Sequence, residues 1–343
     1  MNPILVNRWR GSTIESRHRG SVAVVNAAGR AVLTMGDVQQ TVFPRSSIKF
    51  LQAINFVKSG AVEHYGLDKR HISLSCASHN GEPAHVNLVN DWLATLKLDV
   101  SALECGAELP MHQTSAFNLM GEGYAPTRAH HNCSGKHLGM LSTCCHEKLD
   151  IENYRLYQHA VQKRWIGDLE RFCSVRTEQL PWGYDGCGIP TLAMPLQRLA
   201  LGMARFADPS ELPTEDQQAV STILSAISEE PYWVAGKERL CTELMRQLAP
   251  RVVAKIGAEG VYAASIPERG LGIVVKLDDG HMPSVNVVLG AVLSVLGELD
   301  DASFDALAEY IAPSINNSRG EPVGKIEASS EWQSITLRED WLL

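Results

Sequence analysis

The chain has 343 residues, of which 45% are apolar and 20% charged, and its formal net charge is −8. This composition is typical of a globular protein with a substantial core, and the length allows one large domain or two. The acidic balance argues against a nucleic-acid partner, which would need a basic surface.

The sequence pattern carries no clear targeting or membrane signal. Residues 1–16 hold no apolar run long enough for a signal peptide, and the most apolar stretch, residues 285–299, is too short to cross a bilayer. Eight cysteines in such a chain are typical of reduced thiols and not of a disulfide framework. We therefore expect a cytoplasmic protein that has no membrane partner.

Strand patterns occupy both ends of the chain. Residues 21–25 and 31–35 are apolar or β-branched runs on either side of the turn sequence 26–30. Residues 261–266 and 271–277 flank a second turn in the same way. Each pair predicts two adjacent strands joined by a turn.

The middle of the chain is mainly helical by pattern, although the alternation of Ile72, Leu74 and Cys76 predicts a strand at residues 71–77. Helical spacing or helix-start patterns predict helices over residues 46–57, 86–96, 154–165, 217–227 and 238–248. We predict an α+β fold, with one antiparallel sheet assembled from about 1–43 and 255–343 and flanked by helices. The helical portion spans about 44–254, and the whole chain, 1–343, forms a single catalytic domain.

Three short motifs follow one another along the chain, and serine enzymes that use a lysine base carry such motifs in this order. They are S-x-x-K at residues 46–49, S-x-N at 78–80 and K-x-G at 255–257. In a helix, Ser46 and Lys49 would lie on one face of the first turn. Lys49 must be neutral to take a proton, which requires burial or a nearby cation to lower its pKa.

Each of these motifs has an ordinary alternative explanation. Ser46 can be a helix N-cap followed by a solvated lysine, and residues 78–80 have the composition of a turn. Residues 58–60, Lys-Ser-Gly, are closer in letters to the K-T-G motif of β-lactamases. Their place at the end of the first predicted helix suits a helix terminus instead, so we assign the motif to residues 255–257.

Two cysteines lie in polar turns that contain glycine, and they are Cys133 and Cys187. Histidines at positions 130, 131 and 137 would suit a zinc site, but the paired C-x-x-C spacing of zinc motifs is missing. The residues leave three interpretations open. They are a metal site, two free thiols in tight turns, or Cys133 as a nucleophile with His137 as its base.

Longer segments of the chain resemble the asparaginase II family, the rhizobial type of L-asparaginase, which is unrelated to the threonine-nucleophile and N-terminal-nucleophile asparaginases. These segments are residues 15–20, 43–49, 75–79, 131–137, 185–188 and 255–260. The resemblance covers nearly the whole chain. It implies a fold similar to serine β-lactamases and glutaminases, and a homodimer.

The resemblance also implies the catalytic residues. Ser46 with Lys49 would form one Ser-Lys tandem, and Ser78 with Lys255 a second. Ser46 would attack the side-chain amide of L-asparagine, Lys49 would take its proton, and the second tandem would relay a proton to the leaving ammonia. The products are L-aspartate and ammonia, formed through an acyl-enzyme.

A metal and a substrate site follow from the same resemblance. Cys133, Lys136 and Cys187 would hold one zinc ion per chain, which aids substrate binding. Arg45 and Asp185 occupy positions that resemble the substrate-binding residues of the family. Two alternative functions stay open: a β-lactamase-like or peptide amidohydrolase, which predicts export, and a non-catalytic binding module stabilised by zinc.

Overall fold

The computed structural model describes residues 1–335 and Leu337, so Thr336 and residues 338–343 of the predicted sheet region lie outside the described residues. The described chain forms two compact units. The first comprises residues 1–47, 193–208 and the described residues from Ala254 onward, and the second comprises residues 48–192 and 209–253. The prediction of one catalytic domain stays a prediction.

Strands lie mainly at the two ends of the chain and helices mainly between them. The strands are β1 (Ile4–Arg10), β2 (Thr13–Asn26), β3 (Ala31–Met35), β4 (Thr41–Val42), β5 (Trp182–Tyr184), β6 (Pro190–Leu192), β7 (Met194–Pro195), β8 (Val253–Gly257), β9 (Val261–Ile266), β10 (Leu271–Leu277), β11 (Ser314–Asn316) and β12 (Pro322–Ala328). The helices are α1 (Lys49–Lys58), α2 (Ala61–His64), α3 (Lys69–Ser75), α4 (Pro83–Thr95), α5 (Gln113–Gly121), α6 (Ser134–Glu147), α7 (Ala160–Cys173), α8 (Leu196–Ala207), α9 (Thr214–Glu229), α10 (Tyr232–Ala235), α11 (Leu240–Leu248), α12 (Met282–Val295) and α13 (Asp301–Ile311).

The first unit is built on a sheet with the strand order β11-β12-β1-β2-β10-β9-β8, and β3 also pairs with β2. The long strand β2 pairs antiparallel with β1 through its first half and with β10 and β3 through its second half. Strands from the N-terminal and C-terminal regions therefore pair in one sheet, as predicted, and the α+β class is confirmed. The strand pair on either side of each predicted turn is also confirmed, since β2 pairs with β3 and β9 with β10.

A helix packs directly on this sheet. Helix α8 contacts β2, β9 and β10. A Cβ atom at Gly272 in β10 would lie 2.1 Å from the carbonyl oxygen of Ala200 and 2.2 Å from the backbone nitrogen of Ala204. Because only glycine leaves room for this approach, the helix backbone can lie against the strand. The aliphatic residues of β2 and β10, such as Val24 and Ile273, are fully buried as a result.

The strand predicted at residues 71–77 was wrong, because Lys69–Ser75 form α3. The Asp68 side chain accepts hydrogen bonds from the backbone N–H groups of Arg70 and His71, and the His71 ring accepts one from the backbone N–H of Asp68. This capping box satisfies backbone donors of the first turn and favours a helix over a strand. Ser78 therefore follows a helix and not a strand.

The helical middle agrees with most of the predicted spacing. The predictions over residues 86–96, 217–227 and 238–248 correspond to α4, α9 and α11. Helix α7 begins at Ala160, later than predicted, because the His159 side chain caps it by accepting a hydrogen bond from the N–H of Val161. No helix in the described part of the chain combines the length and the apolar character that a membrane span requires.

Candidate active site

Ser46 lies in the first unit, in a 3-10 turn at residues 45–48 that precedes α1. The predicted helix thus starts with a 3-10 turn and becomes an α-helix only from Lys49. Arg45 has a φ of +52°, a left-handed conformation that is strained for a residue other than glycine. The Ser47 hydroxyl is buried and donates a 2.7 Å hydrogen bond to the carbonyl oxygen of Pro44, whereas Ser46 is half-buried. Of the two adjacent serines, Ser46 is therefore the one that a substrate can reach.

Lys255 lies in β8 of the same unit and is fully buried. Its ammonium group donates a hydrogen bond of 2.7 Å to the carbonyl oxygen of Ile256. A Cβ atom at Gly257 would lie 2.7 Å from the carbonyl oxygen of Pro44 and 3.1 Å from the backbone nitrogen of Ser47. The glycine of the K-x-G motif therefore lets β8 lie against the turn that carries Ser46.

In the second unit, the side chain of Lys49 is fully buried and has three polar neighbours. Its Nζ atom lies 3.0 Å from Ser78 Oγ and 3.1 Å from Cys133 Sγ, and it also hydrogen-bonds to the carbonyl oxygen of Ala77. Burial lowers the pKa of Lys49 from its ordinary value. A lowered pKa favours the neutral amine, which is the form that can accept a proton from a serine.

The turn that carries Ser78 is held by backbone hydrogen bonds from two directions. The N–H of Ser78 donates to the carbonyl oxygen of Val234 at 3.0 Å, and the N–H of His79 donates to that of Asn132 at 3.1 Å. A Cβ atom at Gly135 in α6 would lie 2.1 Å from the carbonyl oxygen of Leu74, so the two helices that frame the site are in backbone contact. These contacts bring the S-x-N motif next to the Cys133 turn.

Cys133 and Lys136 stand at the beginning of α6, where Cys133 is the N-cap residue. The thiols of Cys133 and Cys187 hydrogen-bond to each other, and Lys136 Nζ lies 3.1 Å from Cys187 Sγ. The hydrogen bond from Cys187, assisted by the charge of Lys136, holds the pKa of Cys133 well below its ordinary value. The positive end of the helix favours the same thiolate.

The pKa values of the two neighbouring groups, Cys187 and Lys136, shift upward instead. The hydrogen bond to Cys133 and burial raise the pKa of Cys187 well above its ordinary value. Burial by itself would lower the pKa of Lys136, but the charges of Cys133, Cys187 and Asp185 and the hydrogen bond to Cys187 together outweigh burial and raise this pKa. Without a metal, the three groups therefore form a thiolate, a thiol and an ammonium that share two hydrogen bonds.

These residues have the chemistry of a zinc site. Two thiols and one amine from two separate turns converge, and each of the three side chains is at least 96% buried. Zinc binds thiolate sulfur strongly, and would replace the protons now held by Cys187 and Lys136. The described residues contain no cluster of three His, Cys, Asp or Glu side chains that could hold a metal, so a third protein ligand would have to be Lys136.

The pairing of Cys133 with His137 as nucleophile and base finds no support in the geometry. His137 Nδ1 hydrogen-bonds to the hydroxyl of Tyr154 at 2.6 Å, and its Nε2 atom has no hydrogen-bond partner among the described residues. His131 is the histidine that contacts the cysteine turn, because its Nδ1 atom accepts a 2.9 Å hydrogen bond from the N–H of Cys133. Sequence spacing alone gives no signal that distinguishes these two histidines.

Asp185 lies in the hairpin loop between β5 and β6, two residues before Cys187. Its carboxylate accepts a 2.8 Å hydrogen bond from the N–H of Gly186, and its backbone closes the turn with Gly188 and Ile189. Its charge contributes to the raised pKa of Lys136, so the Asp185 carboxylate stabilises the ammonium group beside the two cysteines.

The family model of L-asparaginase II matches residues 6–328 of the chain. No curated protein sequence matches it significantly. Two solved structures are similar to it: a β-lactamase from Mycobacterium bovis is 13% identical and covers 80% of this chain and 94% of that chain, with a TM-score of 0.40. A candidate β-lactamase from Bacteroides dorei is 11% identical and covers 80% and 93%, with a TM-score of 0.40. A TM-score of 0.40 is too low for a conclusion about activity.

Proposed function

The chain belongs to the L-asparaginase II family, and we propose that it hydrolyses L-asparagine to L-aspartate and ammonia by a serine acyl-enzyme mechanism. Membership confirms the family expected from the motifs and supports an amidohydrolase of the asparaginase type that acts on a small amino-acid substrate. The observation that carries the catalytic proposal is the buried Lys49 amine, with a lowered pKa, 3.0 Å from the hydroxyl of Ser78, the serine of the proposed second tandem.

In the first half of the reaction, Ser46 Oγ attacks the side-chain amide carbon of asparagine and Lys49 receives the hydroxyl proton. The carbon–nitrogen bond of the amide breaks, the amide nitrogen takes up a proton, and ammonia leaves. Ser78, hydrogen-bonded to Lys49, relays that proton together with Lys255. The half-buried position of Ser46 and the burial of both lysines support this division of roles.

In the second half, a water molecule attacks the ester carbon of the acyl-enzyme and transfers a proton to the lysine–serine relay. The bond between this carbon and Ser46 Oγ breaks, the oxygen regains a proton, and L-aspartate leaves. Arg45 and Asp185 are proposed to bind the substrate. The charge that Asp185 exerts on Lys136 supports its place beside the site.

Zinc is proposed to be held by Cys133, Lys136 and Cys187, where it would supply a positive charge that positions the substrate. The convergence of the two buried thiols with Lys136 supports this ligand set. We also propose a cytoplasmic homodimer. Light scattering of the purified protein tests the dimer, and a mass of one chain would contradict it.

The test of function is ammonia release by the purified protein from L-asparagine, beside L-glutamine and a chromogenic β-lactam, with and without a chelator. We expect turnover of asparagine that exceeds turnover of the β-lactam by orders of magnitude. Hydrolysis of the β-lactam alone would favour the β-lactamase-like alternative. Zinc binding without turnover of any of the three would favour the binding module.

A further inference from the structure

The guanidinium group of Arg239 contacts the turn that carries Ser78 directly and is linked to the turn that carries Cys133 through the side chain of Met111. Its Nη1 atom donates a 2.8 Å hydrogen bond to Asn80 Oδ1 and lies 3.9 Å from Met111 Sδ. Asn132 Nδ2 donates a 3.4 Å hydrogen bond to the same sulfur, and Asn132 immediately precedes Cys133. All of these residues belong to the second unit. A cation therefore lies within hydrogen-bond distance of Asn80, the residue two positions after Ser78.

Among the residues that the structure describes, no carboxylate pairs with the charge of Arg239. An arginine is always protonated and has five N–H donors, yet among the described residues Arg239 has one oxygen acceptor and no carboxylate within ion-pair distance. The neighbouring acidic groups have other partners. Glu82 accepts a 2.9 Å hydrogen bond from the N–H of Lys237, and Glu238 lies 4.0 Å from His112. By contrast Arg246, in the following helix, pairs with a carboxylate at 2.7 Å.

The turn before Arg239 is held in a costly conformation. Gly236 has a φ of +102°, and a Cβ atom there would lie 2.5 Å from Glu82 Oε1 and 2.8 Å from Asn80 Cβ. Glu238 has a φ of +57°, which is unfavourable for a residue with a side chain. Strain of this kind persists only where the surrounding structure enforces it, and it is common at binding sites. These contacts therefore hold the backbone directly before Arg239 against Asn80 and Glu82.

We propose that Arg239 is a specificity-determining residue that binds the α-carboxylate of the amino-acid substrate. This inference rests on the proposed function. The reacting amide of asparagine is uncharged, so discrimination between an amino acid and a simple amide has to come from groups that recognise its charged end. Arginine suits this role because its planar fork can donate two parallel hydrogen bonds to one carboxylate.

The experiment compares two substrates that differ only at this carboxylate: L-asparagine and its α-amide, L-aspartic acid diamide. Wild type, Arg239→Met and Arg239→Lys are assayed for kcat and KM, and the product of the diamide is identified by chromatography. For Arg239→Met we expect a loss of about 10- to 100-fold in kcat/KM on asparagine, mainly through KM, and no loss on the diamide. Arg239→Lys restores part of the activity on asparagine because it keeps the charge.

Arg246→Ala is the matched control. Arg246 is a half-exposed arginine of the same region whose charge is already paired with Glu243. Its removal is therefore expected to leave kcat/KM unchanged for both substrates. An equal loss on both substrates in Arg239→Met, with a lower melting temperature, would overturn the proposal in favour of a structural role through Asn80. Unchanged kcat/KM on asparagine would also overturn it.

Calorimetric binding of L-aspartate separates this inference from the proposed function. The measurement needs no turnover, and Arg239→Met is expected to weaken aspartate binding by a factor similar to its effect on kcat/KM. If the wild type releases no ammonia from asparagine, the proposed function fails, whereas the aspartate titration still decides the role of Arg239. Equal aspartate affinity in wild type and Arg239→Met would overturn the inference by itself.

Discussion

Lys49 Nζ and Ser78 Oγ lie 3.0 Å apart in a buried hydrogen bond that joins residues 29 positions apart in the sequence. A neutral lysine has two N–H donors and one lone pair. The carbonyl oxygen of Ala77 can only accept, and the Cys133 thiolate also accepts, so these two neighbours take both donors. In that neutral form the lone pair would accept from the Ser78 hydroxyl, whereas a charged Lys49 donates to Ser78 as well. Burial lowers the pKa of Lys49 whereas the contact with Cys133 raises it, and a neutral Lys49 in this arrangement would accept the Ser78 proton.

The first prediction concerns the nucleophile and its base. Ser46→Ala and Lys49→Met are each expected to lower kcat on asparagine at least about 1,000-fold, and the double variant is expected to lose little more, because the two groups act in one step. Ser47→Ala is the matched control. Its hydroxyl bonds to the backbone of Pro44, so we expect a small loss of stability and near-normal turnover.

Steady-state kinetics and circular dichroism of the purified variants check this prediction. Near wild-type turnover in Ser46→Ala would contradict the assignment of Ser46. It would make Ser78, the serine that contacts Lys49, the next candidate.

The second prediction concerns the contact between β8 and the turn that carries Ser46. Gly257→Ala is expected to lower kcat at least about 10-fold, because the added methyl group would lie 2.7 Å from the carbonyl oxygen of Pro44 and would displace the turn. Gly167→Ala is the control, since a Cβ atom there meets no atom within 4 Å. Kinetics and melting temperatures of both variants decide, and equal activity in the two would refute this role of Gly257.

The third prediction concerns the metal. We expect about one zinc ion per chain in wild type, and a loss of most of it in Cys133→Ser and Cys187→Ser because the thiolates are its strongest ligands. Cys173→Ser replaces a buried cysteine outside this cluster and is expected to keep the zinc. Elemental analysis of dialysed protein measures the content. An unchanged zinc content in both ligand variants would contradict the assignment of Cys133 and Cys187 as zinc ligands.

The fourth prediction concerns stability in acid. His85 is fully buried and its ring stacks on His79 and Tyr232, and burial lowers the pKa of His85 to about 4. In the unfolded chain a histidine titrates near its ordinary value of about 6.5. Between pH 6.5 and pH 4 the unfolded state binds this proton and the folded state does not, so stability falls as pH falls through this window. The difference corresponds to about 3 kcal/mol for this group.

Urea unfolding of wild type and His85→Phe at pH 7 and pH 5 tests whether stability falls on acidification because of His85. The phenyl ring preserves the stacking and has no proton to gain, so the variant is expected to lose less stability on acidification than wild type. Glu82 and Arg239 also act on this imidazole, with opposite effects, and both remain in the variant. An identical loss in the two proteins would show that His85 is not the titrating group.

The sequence predicted the sheet well because its signals are local. Residues 21–35 and 261–277 alternate or run apolar on either side of turn residues, and both strand pairs form as expected. Residues 71–77 misled the prediction, since alternation over so few positions does not distinguish a strand from a buried helix. The capping signal of Asp68 and His71 was present in the sequence and would have corrected it.

The sequence by itself determined the family, the antiparallel sheet and the residues that carry the proposed chemistry, because motifs and periodic burial are properties of short segments. Only the tertiary structure decided which of these residues meet. Lys49 contacts Cys133, which lies 84 positions away, and Lys136 contacts Cys187, which lies 51 positions away. Such contacts, and the burial that lowers the pKa of Lys49, depend on how helices pack across long separations. For the same reason no sequence pattern pointed to Arg239, whose lack of a carboxylate partner among the described residues is visible only once its neighbours are in place.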